Sequence, residues 1–208
     1  GHTGFKGSWL SLWLHRLGAE VKGYALTPPT SPNLFTALKL AEKIESEMGD
    51  IRSQEPLYRS MVAFNPDILI HMAAQPLVRY SYKEPIETYD VNVLGTAKVL
   101  DVARRCPNLR SIVSVTTDKC YENKEWRWGY RENEPLGGYD PYSSSKACAE
   151  LVTAAYRQSF MTEQGIGLAS ARAGNVIGGG DWANDRLIPD ILNSFEKNEA
   201  VILRSPKA

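Results

Sequence analysis

Tyr142 and Lys146 are the residues of this sequence whose types and spacing most suggest chemistry. Residues four apart in a helix lie on one face, one turn from each other. The ammonium of a lysine at that spacing can lower the pKa of a phenol, which then exchanges protons near neutral pH. The pair therefore suits removal of a proton from an alcohol whose hydride goes to a nicotinamide. The alternative is a surface pair, because this spacing is common by chance.

Thr117, Asp118 and Lys119 form a second cluster, about 25 residues upstream and directly after an apolar segment. They place a hydroxyl, a carboxyl and an amine side by side. Oxidation of an alcohol alone does not need so many additional acid–base groups. We therefore expect oxidation to be only the first step of the reaction.

The elements that must position these residues are predicted by hydrophobic periodicity. Trp9, Trp13 and Leu17 belong to a helical stripe that ends near Gly18, which predicts that both tryptophans lie in the core. The other predicted helices cover residues 34–43, 55–64, 81–105, 142–160 and 187–197. Predicted strands cover 21–26, 67–72, 111–116 and 167–173, and another ends at 49–51. This alternation predicts an α/β fold with a doubly wound parallel (Rossmann) sheet.

Composition excludes few classes of protein. The 208 residues include 24 basic and 24 acidic side chains, so a net charge of zero does not favour a nucleic-acid partner. We find no apolar run near the ~20 residues of a membrane span, and we predict a cytoplasmic protein. The three cysteines lack the spacing of a metal site and fit reduced thiols, and we expect no metal.

A dinucleotide site is suggested by the glycines at the start of the chain, Gly1, Gly4 and Gly7. Such glycines permit a tight turn and close approach of the backbone to a pyrophosphate at a helix N-terminus. The segment that should hold the ribose, 25–28, contains neither an acidic residue nor an arginine, and we favour NAD over NADP. Asp50 could meet the adenine or merely cap the next element, and the small residues of 73–75 could let the backbone approach the cofactor.

Several motifs occur together in the order typical of the extended short-chain dehydrogenases, and the chain resembles that superfamily. The motifs are Gly1-x-x-Gly4-Phe5-x-Gly7, Gly49-Asp50-Ile51-Arg52, His71-Met-Ala73-Ala74-Gln75, Asn92-Val-x-Gly95-Thr96, Thr117-Asp118-Lys119 and Tyr142-x-x-x-Lys146. Longer stretches, such as 128–135, 138–142 and 172–182, resemble the nucleotide-sugar 4,6-dehydratases that act on CDP-glucose. The resemblance covers nearly the whole chain.

The resemblance implies an NAD-dependent dehydration in deoxysugar synthesis, with hydride transfer from C4 to NAD and back to C6. Tyr142 would take the proton of the 4-OH, Thr117 would bind the developing oxyanion, and Asp118 would protonate the departing 6-OH. Lys146 would bind the nicotinamide ribose. Related dTDP-glucose dehydratases carry glutamate, the expected C5 base, where this chain has Lys119. Lys119 could act as that base if burial next to Lys146 lowered its pKa, could bind an oxyanion, or could be solvated.

The resemblance also implies the other binding residues. NAD would contact the glycine motif and Phe5, followed by Asp50, Ile51, Ala73, Ala74, Gln75, Asn92, Thr116, Tyr142 and Lys146. The sugar nucleotide would contact Arg79, Thr117, Asn175, Arg186 and Leu187. Arg79 and Arg186 could equally be surface residues. Helices 81–105 and 142–160 resemble those that form the homodimer interface of the family, although packing on the sheet would also explain their apolar faces.

Two alternative functions remain open. A sugar-nucleotide 4-epimerase, or a dehydratase for another nucleotide, is one alternative, and Asp118 argues against an epimerase. A non-catalytic dinucleotide sensor is the other.

We expect residues 1–174 to form the dinucleotide domain and 175–208 to begin a sugar-nucleotide domain. We expect a strand before Gly1 and much of a C-terminal part to be missing, and a chain starting at Gly1 to be unstable.

Overall fold

Helices and strands alternate along the chain in the computed structural model, which describes residues 1–203. The helices are α1 (Phe5–Arg16), α2 (Leu34–Ala37), α3 (Gln54–Phe64), α4 (Val78–Lys83), α5 (Pro85–Tyr89), α6 (Gly95–Ala103), α7 (Pro141–Tyr156) and α8 (Leu187–Glu196). The strands are β1 (Lys22–Ala25), β2 (Glu45–Met48), β3 (Ile68–His71), β4 (Ser111–Thr117) and β5 (Gly167–Ala173). Within residues 1–203, every helix is too short or too polar to cross a membrane.

All strand pairs are parallel, which confirms the predicted α/β class. β1 pairs with β2, and β3, β4 and β5 form a second sheet in that order. Gly1 lies between the two sheets: its nitrogen donates to the Tyr24 carbonyl at 2.6 Å. On its other side, a Cβ added to Gly1 would lie 2.8 Å from the Ala73 nitrogen. The glycine-rich turn therefore reaches the carboxyl ends of β1 and β3 together.

The main core lies where α3 and α6 meet the second sheet. Leu100 of α6 and Ile112 of β4 are fully buried, and Leu57, Val99 and Leu168 pack in the same cluster. α7 packs beside α6 and against β4 and β5. This packing fixes α7 beside the carboxyl end of β4, the edge at which parallel α/β sheets bind ligands.

The prediction that Trp9 and Trp13 are core residues is wrong. Their exposed fractions are 45% and 64%, whereas the buried residues of α1 are Gly7, Ser8 and Ser11. The buried face of α1 carries small side chains, and Gly7 permits a close approach, because a Cβ there would lie 2.0 Å from the Gly1 carbonyl oxygen. The tryptophans instead line a cavity of about 490 Å³ with Phe5, Val176 and Ile177.

The predicted helix 81–105 is interrupted. Pro85 has no N–H to continue the ladder, and Glu84 before it leaves the helical region with ψ 66°, so α4 ends and α5 begins there. A π-helical turn, Asp90–Leu94, follows before α6. The predicted helix 34–43 is likewise divided at Lys39, which has a left-handed φ of 48°. In the segment 67–72, predicted to be a buried strand, Ile68 is 62% exposed.

Candidate active site

Tyr142 and Lys146 lie in the first turns of α7, as their spacing predicted. Asp140 caps this helix by accepting from the Ser143 N–H at 2.9 Å, and Pro141 occupies the first helical position. Both side chains are buried, with exposed fractions of 8% and 7%. The Lys146 ammonium donates to the Val115 carbonyl of β4 at 3.3 Å. The pair is therefore part of the interior of the domain and is not a solvated surface pair.

Burial determines the protonation of both groups. Burial raises the pKa of Tyr142, and the hydrogen bond with Thr117, which acts in the opposite direction, does not cancel that effect. Burial, and then the charge of Lys6, lower the pKa of Lys146 to about 8. The pKa of Tyr142 in this structure is therefore raised and not lowered as expected, because removal of the phenol from water dominates.

Thr117, Asp118 and Lys119 lie at the end of β4, next to Tyr142. The Thr117 hydroxyl donates to Asp118 Oδ1 at 3.0 Å and caps a short 3₁₀ turn, Asp118–Cys120. Asp118 and Lys119 are exposed and border a cavity of about 480 Å³. A role for Lys119 as a base was expected to require burial next to Lys146. Lys119 is exposed, so that condition is not met.

An aromatic loop, defined here as residues 121–140, forms much of the remaining wall of that cavity. Tyr121, Asn123, Tyr130 and Tyr139 line it, together with Asp140. The loop consists mainly of turns and irregular structure, with one bridge between Tyr121 and Leu136. The aromatic loop therefore lies beside Asp118 and Lys119 and shares their cavity.

The glycine-rich turn offers a site for a pyrophosphate. Gly4 is the N-cap of α1 and its φ and ψ are extended, so the first N–H groups of a 12-residue helix face this turn. Phe5 starts that helix, and Gly1 and Gly7 allow the close backbone contacts described above. The residues present thus fit the diphosphate of a dinucleotide.

The other predicted cofactor residues divide into two groups. Asp50 and Ile51 follow β2, where Asp50 pairs with Arg52 at 2.6 Å and accepts from its N–H at 2.8 Å. Ala73, Ala74 and Gln75 follow β3 at the same edge of the fold.

Asn92 and Thr116 lie deeper than a direct cofactor contact requires. They are 1% and 3% exposed. The Asn92 amide accepts from the Gln75 N–H at 2.9 Å and donates to Ser145 Oγ at 2.9 Å. The Thr116 hydroxyl donates to Glu150. These two residues would therefore act by holding the segments around them.

The predicted substrate residues are only partly brought together. Arg79 pairs with Asp185 at 3.3 Å, so it lies beside Arg186. Within the described residues, Arg186 Nε is buried without a hydrogen-bond partner, and the charge of Arg186 acts on the pKa of Tyr142. Asn175 directly follows Gly174, and Gly174 is close to Asp118, because a Cβ added to Gly174 would lie 3.7 Å from Asp118 Oδ2. Leu187 is 58% exposed.

Sequence reasoning missed Lys6, which lies inside the glycine motif. Burial, and then the charge of Arg186, lower the pKa of Lys6, and Lys6 in turn lowers the pKa of Lys146. Lys6, Lys146 and Arg186 therefore form a cluster of cations between the glycine turn and Tyr142. The signal available in the sequence was a lysine next to a predicted phosphate-binding turn.

Comparisons with known proteins identify related nucleotide-sugar dehydratases. A CDP-glucose 4,6-dehydratase from Salmonella typhimurium is 62% identical over 211 residues, covering 99% of this chain and 59% of the relative. A dTDP-glucose 4,6-dehydratase from Streptomyces griseus is 32% identical over 81% of this chain and 48% of its own length. The chain thus spans about half to three fifths of these relatives.

Solved structures give the same fold. A dTDP-glucose 4,6-dehydratase from Streptomyces venezuelae, solved with NAD bound, has a TM-score of 0.83 and 25% identity, covering 97% of this chain and 62% of that one. A UDP-glucuronic acid 4-epimerase from Bacillus cereus has a TM-score of 0.82 at 21% identity, which shows the fold alone, over 98% of this chain and 63% of its own. The family model described as GDP-mannose 4,6 dehydratase matches residues 1–200, and this chain belongs to that family.

Proposed function

We propose that this protein catalyses NAD-dependent dehydration of CDP-glucose to CDP-4-keto-6-deoxyglucose and water. The observation that carries the proposal is the meeting of four side chains at one sheet edge: Tyr142 and Lys146 on α7, and Thr117 and Asp118 at the end of β4. The 62% identical CDP-glucose 4,6-dehydratase supports the choice of nucleotide.

The residues divide the chemistry between them. NAD bound at the glycine turn would supply the hydride acceptor for C4 and return the hydride to C6. Tyr142 takes the proton of the 4-OH, and Thr117 donates a hydrogen bond to the oxygen that becomes the ketone. Asp118 protonates the departing 6-OH as water leaves across C5 and C6. Lys119 borders the same cavity and is our candidate for the group that stabilises the enolate, while another group takes the C5 proton.

The electrostatics support the binding of a diphosphate. Lys6 repels both Lys146 and Arg186, as the effects on pKa indicate, and Arg186 Nε lacks a partner within the described residues. A diphosphate bound among them would relieve this repulsion. We assign the glycine turn, together with Asp50, Ile51 and 73–75, to NAD, and Arg79, Asn175, Arg186 and Leu187 to the sugar nucleotide.

Three further assignments, of domains, oligomeric state and location in the cell, are part of this proposal. Residues 1–174 form the dinucleotide domain, and 175–208 begin the sugar-nucleotide domain. The protein forms a homodimer through α4–α6 and α7. It works in the cytoplasm, where its three cysteines stay as free thiols, as they are in this structure.

The test incubates the intact natural protein with CDP-, dTDP-, UDP- or GDP-glucose and follows the 4-keto product by its absorbance in alkali. We expect product from CDP-glucose without net accumulation of NADH. Tyr142→Phe should lower turnover roughly 100- to 10,000-fold. Tyr58→Phe, at a tyrosine of α3 that packs against the main core, is the matched control and should have no effect.

Each other outcome corrects a specific part of the proposal. Product from a different nucleotide would keep the chemistry and reject the specificity. Undiminished turnover by Tyr142→Phe would reject the mechanism. No 4-keto-6-deoxy product from any nucleotide would reject the dehydratase and favour an epimerase or a sensor.

A further inference from the structure

Glu150 is a buried carboxylate on α7 that the reaction does not use. It follows Lys146 by one turn and Tyr142 by two, and it is 5% exposed. It accepts from the Thr116 hydroxyl, from Ser170 Oγ at 2.7 Å and from Arg172 Nη2 at 3.1 Å. Although burial raises the pKa of Glu150, these hydrogen bonds, led by that of Arg172, hold it below its usual range. Glu150 is therefore a fixed anion.

Arg172, at the end of β5, connects this anion to the aromatic loop. Its Nη1 donates to the Glu132 carbonyl at 3.0 Å, and its guanidinium lies 4.8 Å from the centroid of the Tyr121 ring. Tyr121 begins the loop and Glu132 lies just past its middle. Arg172 thus contacts Glu150 of α7 on one side and two separated parts of the loop on the other. The planar, forked guanidinium of arginine is suited to such multiple contacts.

The aromatic loop has few backbone bonds to hold it. Glu122 N donates to the Pro135 carbonyl at 2.8 Å, and Gly137 N donates to the Cys120 carbonyl at 2.9 Å. Within the loop, Glu134 N also donates to the Arg131 carbonyl at 3.0 Å, and the Tyr130 hydroxyl donates to Asn123 Oδ1 at 3.1 Å. Stacked rings add to these bonds. Tyr121 stacks on Tyr130 with centroids 5.1 Å apart, and Tyr130 lies 5.3 Å from Trp126. The position of Tyr121 therefore sets the position of the rings that follow it.

Two of these rings, Tyr121 and Tyr130, line the cavity next to Asp118 and Lys119. We propose that Arg172, held by Glu150, is a positioning residue that fixes the aromatic loop as a wall of the substrate cavity and thereby sets the affinity for the sugar nucleotide. The glycine turn that would hold NAD is built from other segments, so NAD affinity does not depend on Arg172. The substrate part of this inference rests on the proposed function.

The test is Arg172→Lys in the intact natural protein, since a lysine keeps the charge for Glu150 but cannot also reach the Glu132 carbonyl in a fork. We expect KM for CDP-glucose to rise about tenfold, as for the loss of one charge-assisted hydrogen bond, with little change in kcat. The Kd for NAD should not change. Arg110→Lys, in an exposed pair with Asp67 at 3.0 Å, is the matched control.

A second readout does not require activity. Lys124, Arg127 and Arg131 are exposed trypsin sites in the aromatic loop. Arg172→Lys should speed cleavage there without lowering the Tm, and CDP-glucose should slow cleavage of the natural protein. Glu150→Gln is measured in parallel, so the proposal stays testable if the lysine variant folds poorly.

The outcomes separate this inference from the proposed function. An unchanged KM and unchanged loop cleavage in both variants would overturn it. So would equal losses of NAD affinity, sugar-nucleotide affinity and Tm, which indicate a role in the fold alone. If the natural protein turns over no sugar nucleotide, the proposed function fails, while faster loop cleavage in the variants would still support the role of Arg172 in fixing the loop.

Discussion

Lys146 shows how burial sets the chemistry of a single residue. Its side chain is held between α7 and the Val115 carbonyl, and its neighbours include the cation Lys6. Both burial and that charge favour the neutral amine. An anion bound beside it would favour the ammonium instead. The protonation state of Lys146 is thus expected to depend on whether the site is occupied.

This residue predicts a pH dependence of stability in the protein without ligands. The folded pKa of Lys146 is about 8, against an ordinary value of 10.5, so between these values the unfolded chain binds the additional proton. The contribution of Lys146 to the free energy of unfolding therefore rises with pH from about 8 to 10.5, by roughly 2–3 kcal/mol. Below pH 8 the folded protein buries the charged ammonium, and the full free-energy cost of burying that charge remains.

Urea unfolding of the intact natural protein and of Lys146→Met at pH 7.5, 8.5 and 9.5 measures this contribution. Other titrating groups are common to both proteins and largely cancel in the difference. We expect the free energy of unfolding of the natural protein to increase, relative to that of the variant, as the pH rises. Parallel pH profiles would show that Lys146 keeps an ordinary pKa when folded.

At the scale of elements, the start of α7 positions the phenol of Tyr142, for which we propose the role of base. Asp140 accepts from both the N–H and the hydroxyl of Ser143, at 2.9 Å and 2.5 Å, and Tyr142 lies between these two residues in the first turn. Loss of the cap would let this turn fray and would leave helix N–H groups without a partner.

We therefore expect Asp140→Ala to lower the free energy of unfolding by about 1 kcal/mol and to lower kcat as Tyr142 loses its fixed position. Asp140→Asn is the matched control, because asparagine caps a helix about as well as aspartate. Urea unfolding and steady-state kinetics of both variants give the answer. Equal behaviour of the alanine and asparagine variants would mean that the cap does not hold Tyr142.

The elements also show what the sequence could predict. The β5 prediction was confirmed residue for residue and the β4 prediction to within one residue, because each is a short segment of small and β-branched or apolar residues beside a turn. Periodicity identified α1 but not the face that packs, since the buried side is marked by small residues and not by Trp9 and Trp13. The pair of Glu150 and Arg172 joins residues 22 apart, and no local pattern reveals such a contact.

At the scale of the whole molecule, exposed apolar side chains lie on the segments for which we propose a dimer interface. Ile86 in α5 is 80% exposed, Leu94 before α6 is 54% exposed, and Leu151 in α7 is 59% exposed. Nine residues separate Leu151 from Tyr142, which at 3.6 residues per turn places them on opposite sides of α7. A partner could therefore cover Leu151 without blocking Tyr142.

Single exposed leucines are normal on a monomer, so the proposed interface needs a direct test. In the intact natural protein, Leu94→Glu combined with Leu151→Glu should place buried, unpaired charges in the interface and convert a dimer to a monomer. Leu17→Glu, at a leucine that is 68% exposed near the end of α1, is the control that should leave the dimer intact. Sedimentation equilibrium measures the mass of each protein. A natural protein that is monomeric, or a double variant that stays dimeric, would remove this interface from the proposal. Because Leu151 and Tyr142 share one helix, a monomeric variant that keeps full turnover would further show that α7 is held by its own domain and not by the partner.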